Sequence, residues 1–135
     1  MKHFKALVIV LVAFLLTVTA CSSATTKSGV LLREGTVKKI SVTSLPEGYD
    51  YSFAGDSAQS IIKYLSELNL LSRFPENPDE YGGMTWVISL EYEDGTIHTI
   101  YHFGNMFIKT SGGSWYKMTH EEASRFDELL NELSN

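Results

Sequence analysis

The sequence predicts an α+β domain with two layers, in which two helices pack on one face of an antiparallel sheet of four or five strands (β-α-β-β-β-β-α). Three observations predict this fold. Apolar residues recur at helical spacing in two segments, apolar and polar residues alternate in the segments between them, and short Gly-containing turns join the alternating segments. Short turns require antiparallel neighbours, and an apolar sheet face must be covered by the apolar stripes of the helices.

The first helix is predicted to begin at Asp56, because Asp is a good N-cap and Gln59 three residues later completes a capping box. Its apolar residues fall on one stripe: Ile61, Ile62, Leu65, Leu68 and Leu71. Extended chain precedes this helix, with a short strand predicted over residues 49–53. Residues 72–83 contain two prolines and two adjacent glycines, which predicts a loop.

Residues 84–103 predict a hairpin, because alternating residues flank Asp94-Gly95, a strong signal for a two-residue turn. Such a turn pairs Glu93 with Thr96. This register places Trp86 and Leu90 on the face toward the helices. It places five other residues on the opposite, outer face of the sheet: Val87, Glu91, His98, Ile100 and His102.

A second two-residue turn is predicted at Gly104-Asn105, and the returning strand then places Met106 and Ile108 toward the core and Phe107 on the outer face. The faces of Trp115–Met118 stay open, because one more residue in the preceding Gly-rich loop exchanges them. Thr119 and Glu122 predict the capping box of a last helix. The apolar stripe of that helix is Ala123, Phe126, Leu129, Leu130 and Leu133.

The N-terminal segment has the composition of a secretory signal. Lys2 and Lys5 precede an apolar run that is too short to span a membrane comfortably, and small residues follow. The residues Val18-Thr19-Ala20-Cys21 resemble a bacterial lipobox. This resemblance implies that Cys21 receives a thioether-linked diacylglycerol and becomes the first mature residue. We therefore expect a signal peptide over residues 1–20, a lipidated cysteine and flexible tether over 21–29, and one domain over 30–135.

The charge and the cysteine content exclude several classes of function. The formal net charge is −5, and removal of Lys2 and Lys5 with the signal takes it to −7. A negative chain is a poor ligand for nucleic acid. Cys21 is the only cysteine, so no disulfide can form within the chain. We expect no cofactor and no metal site, and attachment to the extracytoplasmic face of the cell membrane through lipid at Cys21.

The combined features resemble the small Gram-positive lipoproteins that carry a domain of unknown function, such as the YhfM-like lipoproteins. The resemblance rests on the lipobox, the helix Asp56 to Leu71, the segment from Trp86 to Gly95, and Trp115-Tyr116 before Thr119. It implies a compartment and a fold, and it implies no activity.

Glu91, His98 and His102 are the residues that suggest a metal-binding or enzymatic accessory. His98 and His102 are four residues apart on one strand, about 13 Å at roughly 3.3 Å per residue, so they cannot bind one ion together. No Ser nucleophile motif and no phosphate-binding loop is present in the sequence. The sequence therefore favours a protein that is not an enzyme.

The sequence interpretation is a lipid-anchored envelope protein that binds an unknown protein or envelope component through its outer sheet face. The residues expected on this face are Val87, Glu91, His98, Ile100, His102 and Phe107. A mixed apolar and polar patch on an open face often marks an interaction site. Two alternatives stay open: the metal-binding or enzymatic accessory, and a purely structural envelope protein whose outer face is covered by neighbouring chain segments.

Overall fold

The computed structural model describes residues 26–78 and 82–135; the predicted signal peptide and Cys21 lie outside this range. The nine strands that it contains are β1 (Thr26–Lys27), β2 (Val37–Leu45), β3 (Asp50–Phe53), β4 (Asn69–Leu70), β5 (Ser72–Phe74), β6 (Thr85–Tyr92), β7 (Ile97–Phe103), β8 (Phe107–Thr110) and β9 (Trp115–Lys117). The helices are α1 (Gly55–Glu67) and α2 (His120–Ser134), and a short 3-10 helix (Ser28–Val30) follows β1.

The α+β class and the antiparallel sheet are confirmed, although the described sheet is wider than predicted. Seven strands pair in the order β3-β2-β6-β7-β8-β9-β5, and β1 pairs separately with β4. The additional edge strand, β5, lies in the segment predicted to be a loop, and its Phe74 pairs with Trp115 of β9. The prediction of a loop is wrong here because three residues show no readable period and their partner strand is more than forty residues away.

Both helices cover one face of the sheet, and the core lies between these layers. Leu90 is fully buried in the same cluster as Ile61, Leu65 and Phe126, as predicted. Trp86 is also buried on this face, and its Nε1 donates a hydrogen bond of 3.0 Å to Asp127 Oδ1 on α2. The two layers are therefore joined by apolar contacts and by a polar link.

The two helices differ in how well their starts follow the sequence signals. The capping box of α2 is present, with the Glu122 backbone N–H donating to Thr119 Oγ1 at 3.1 Å. By contrast, α1 begins at Gly55 after Ala54, so Asp56 lies in the first turn and does not cap. An acidic side chain in the first turn is still favourable because of the helix dipole. The apolar stripe ends at Leu68, since Leu71 lies beyond the helix and is 40% exposed.

The β6–β7 hairpin has a three-residue loop instead of the predicted two-residue turn. The Gly95 N–H donates to the Tyr92 carbonyl at 2.9 Å, and the Tyr92 N–H donates to the Thr96 carbonyl at 2.9 Å. Gly95 has φ +82°, as expected for the last residue of a type I turn with a bulge. The extra residue moves the pairing by one, so that Leu90 lies opposite His98. Every side chain of β7 therefore occupies the face opposite to the predicted one.

The β7–β8 turn is also one residue longer than predicted, because Phe103 pairs with Phe107. The two errors cancel in β8, where Ile108 faces the core and Phe107 the outer face, as predicted. They do not cancel for Met106, which was predicted to face the core and is 39% exposed in the turn. Ile108 pairs with Tyr116, which places Tyr116 toward the core and Trp115 on the outer face.

The chain joins the domain earlier than Val30, the expected boundary. Thr26 pairs with Leu70, and the segment then runs along the helix side of the domain to Arg33. Arg33 Nη2 lies 2.7 Å from Asp94 Oδ2, and the guanidinium stacks over the Tyr92 ring at 4.5 Å. The Thr96 hydroxyl and N–H, and then Arg33, lower the pKa of Asp94 to about 2. This network attaches the N-terminal segment to the hairpin loop.

Candidate binding clefts on the outer sheet face

The six residues predicted to form one outer face are divided between the two faces. Val87, Glu91 and Phe107 lie on the outer face, and the first two are half-buried. The prediction is wrong for the other three, which face the helices because of the longer hairpin loop: His98, Ile100 and His102. Ile100 is fully buried in the core.

The two histidines make internal contacts on the helix side. His98 Nε2 lies 2.7 Å from the Leu31 carbonyl oxygen. His102 is 1% exposed, its ring stacks on Phe126 with centroids 5.0 Å apart, and its Nε2 is 3.5 Å from the Tyr64 hydroxyl. Burial lowers the pKa of His102 to about 4, so the ring is neutral at neutral pH.

Tyr64 belongs to the same buried group. Its hydroxyl donates a hydrogen bond of 2.9 Å to the Glu122 carbonyl, and burial raises its pKa well above the usual value. Glu122 is 9% exposed, and its carboxylate accepts hydrogen bonds from Asn69 at 2.9 Å and 3.2 Å. These contacts join α1, β4 and α2, and they give the group a structural role.

Glu91 lies on the other side of the sheet, with Oε1 3.5 Å from Lys38 Nζ. Glu91 therefore cannot meet His98 and His102 in one site. Within residues 26–78 and 82–135, no three His, Cys, Asp or Glu side chains lie together in a way that could hold a metal ion.

The sequence interpretation did not identify the aromatic cluster that covers one end of the outer face. The outer aromatic cluster consists of the buried Phe103, Phe107 and Trp115, with the half-buried Phe74 and Tyr101 packed against them. Phe107 is 9% exposed, and its ring centroid lies 4.8 Å from that of Phe74. Phe107 lies on the predicted face, but the expectation that it is open to a partner is therefore wrong. Phe103 and Phe107 flank a Gly-containing turn, which is a sequence signal for this cluster. The signal indicates that the two rings share a face only if the register of the turn is known.

Two lysines lie over the rings of this cluster. Lys109 Nζ is 4.5 Å from the centroid of Trp115 and 5.5 Å from that of Tyr101. Lys117 Nζ is 5.0 Å from the centroid of Phe74. Such contacts are favourable by about 0.5–1 kcal/mol at exposed sites.

An open cleft lies on each side of Phe74. The edge cleft, about 620 Å³, runs between Phe74 and Trp115 and is lined by Arg73, Glu76, Asn77, Lys109 and Ser114 among others. The end cleft, about 460 Å³, lies at the β7–β8 turn and is lined by Phe103, Met106, Phe107, Lys117 and His120 among others. Both volumes fall in the range of small-molecule sites, about 300–1,000 Å³.

The described part of the chain contains no helix that is long and apolar enough to cross a membrane. No protein-family model, curated protein or solved structure matches the chain.

Proposed function

We propose that the protein is a lipid-anchored lipoprotein on the extracytoplasmic face of the cell membrane, and that its domain binds an envelope component or protein without catalysis. The anchor is the diacylglycerol expected on Cys21. The binding site is the edge cleft, and the partner presents negative charge to it. The partner is not nucleic acid, because the mature chain has a net charge of −7.

Besides Glu76, the cleft is lined by two positively charged residues, Lys109 on the outer face and Arg73 on the edge strand β5, and these two residues support the site. No carboxylate of the described residues lies within 4.0 Å of either charge. Opposite charge on a partner gives both specificity and a faster encounter. Trp115 and Phe74 provide an aromatic floor for the same ligand.

The metal-binding or enzymatic alternative has less support, since its three residues lie on opposite faces of the sheet. A purely structural role has less support as well, because outer-face side chains of β6 and β7 such as Val87, Ser89 and Thr99 stay partly exposed.

The test is crosslinking on intact cells that produce the wild-type protein or a charge variant. Lys109→Glu reverses the charge at the cleft, and we expect recovery of the crosslinked partner to fall at least tenfold. Lys63→Glu is the control for charge reversal elsewhere, because Lys63 is a 74% exposed side chain on α1, away from the outer face, although this change also removes its 4.0 Å pair with Glu67. Equal recovery of the same partner by both variants would contradict the edge cleft as the binding site. Circular dichroism confirms that each variant is folded.

A further inference from the structure

We propose that one end of the domain, the sheet base, lies against the lipid bilayer that holds the anchor. The sheet base is the end formed by Leu45, Tyr49, Leu71, Met106 and Lys117. The pairing of successive strands places it at the end of β2, β7 and β9 and at the start of β5, β6 and β8. The inference rests on the proposed lipidation of Cys21.

The chain enters the domain beside the sheet base. Thr26 pairs with Leu70, and the next residue, Leu71, donates its N–H to the Lys117 carbonyl at 2.8 Å. The entry point is therefore beside the sheet base. Cys21 and Thr26 are five residues apart, and five residues reach about 17 Å at most. A lipid on Cys21 thus keeps this end of the domain close to the head groups.

Exposed apolar side chains are concentrated at the sheet base. In the described part of the chain, six large apolar residues are at least 36% exposed, and four of them lie at the sheet base: Leu45, Tyr49, Leu71 and Met106. The opposite end of the sheet has Ile97, but it also has the charged pair Arg33 and Asp94. Apolar and Tyr side chains at the level of the head groups are favourable because the acyl boundary accepts the apolar part.

The turn that presents Tyr49 is held by hydrogen bonds. The Tyr49 N–H donates to Ser44 Oγ at 2.8 Å, and the Ser44 N–H donates to the Tyr49 carbonyl at 2.8 Å. Ser44 is fully buried, so the turn is attached to the core. Tyr49 is 54% exposed and stays available for the interface.

Electrostatic attraction contributes little to the contact between the sheet base and the bilayer. Lys117 is at the sheet base, but Glu47 is in the same turn as Tyr49, and Glu121 lies next to His120 of the end cleft. The positive and negative groups oppose each other at an anionic surface. The contact is therefore apolar and depends on the short tether, which provides a high effective concentration. The sheet base should associate equally with neutral and anionic lipid.

The experiment uses the mature lipidated protein, which begins at Cys21, reconstituted in phosphatidylcholine vesicles. An environment-sensitive fluorophore is attached to the thiol of Met106→Cys. The label reacts only at this position, because the sulfur of Cys21 is blocked by its thioether. Lipids with a doxyl group act as quenchers. Ile97→Cys is the matched control, because Ile97 is more exposed and lies at the opposite end of the sheet. Leu71→Cys provides a second label at the sheet base.

We expect at least threefold stronger quenching at positions 106 and 71 than at position 97, with little change when part of the lipid is phosphatidylglycerol. Equal quenching at all three positions in vesicles that contain the lipidated protein would overturn the inference and leave the anchor intact. Strong quenching only with phosphatidylglycerol would also overturn it, since the contact would then be electrostatic. Intact mass without diacylglycerol on Cys21 would overturn the anchor and this inference together.

Discussion

The imidazole ring of His102 stacks on the ring of Phe126, with centroids 5.0 Å apart and an angle of 25° between the planes. The stack joins the sheet to α2 inside the core. Tyr64 of α1 contacts both rings, with its own ring centroid 5.3 Å from that of Phe126. His102 Nδ1 is buried and has no hydrogen-bond partner among the described residues. A proton on this ring would therefore be a poorly solvated charge.

We expect His102 to make the domain less stable in mild acid. The unfolded chain takes up a proton on this residue below its ordinary pKa, 6.5, whereas the folded protein does so only near pH 4. The unfolded state thus binds more protons in this window, and the free energy of unfolding falls as the pH decreases from about 6.5 to 4. The full loss is about 3 kcal/mol at 1.36 kcal/mol per pKa unit.

His102→Leu should remove this part of the pH dependence, as measured by urea unfolding at pH 7 and pH 4.5. The variant and the wild type share the nearby Glu122 and Asp127, so the difference between their pH dependences of stability measures the contribution of His102. His120→Gln is the control, since His120 is exposed. A pH dependence that is the same in the His102 variant and the wild type would contradict the assignment.

Phe107→Ala should lower the free energy of unfolding by about 3 kcal/mol, because it removes a large ring from the outer aromatic cluster. The ring is 9% exposed and packs on Phe74. Thermal unfolding measures the effect. Ile97→Ala is the matched control at a 68% exposed position and should change stability by less than about 0.5 kcal/mol. Equal melting temperatures for the two variants would show that Phe107 is a surface residue.

Gly95→Ala should destabilise the hairpin by about 1 kcal/mol, because an L side chain is strained at φ +82°. A Cβ at this position meets no atom within 4 Å, so strain in the backbone is the whole effect. Gly29→Ala is the control, since Gly29 also has open space and an ordinary φ. Similar unfolding midpoints in urea for both variants would contradict the left-handed conformation of Gly95.

Short-range signals in the sequence predicted most of the fold. The capping box of α2 is formed by residues within one stretch of four, so the sequence alone was enough to predict it. The alternation in β6 likewise identifies Trp86 and Leu90 as core residues without knowledge of their partners. In α1, the Asp56 signal was present, but the chain enters the helix one residue earlier through Gly55.

The faces of β7 were not predictable, because Asp94-Gly95 fits both a two-residue turn and a three-residue loop with Gly95 in the left-handed region. Choosing between the two requires the cross-strand contacts of the folded sheet. The edge cleft could not be predicted from the sequence for a related reason. Its walls, Phe74 and Trp115, are brought together by a long-range strand pair, and β5 has no local signal.

The most direct test of the central claim is the intact mass of the protein purified from the membranes of cells that produce it. We expect a chain that begins at Cys21 and carries a diacylglycerol, and we expect Cys21→Ser to move the protein into the soluble or secreted fraction. An unmodified N-terminus at Met1 or Ser22, or a Cys21→Ser protein that stays in membranes washed with high salt, would contradict it.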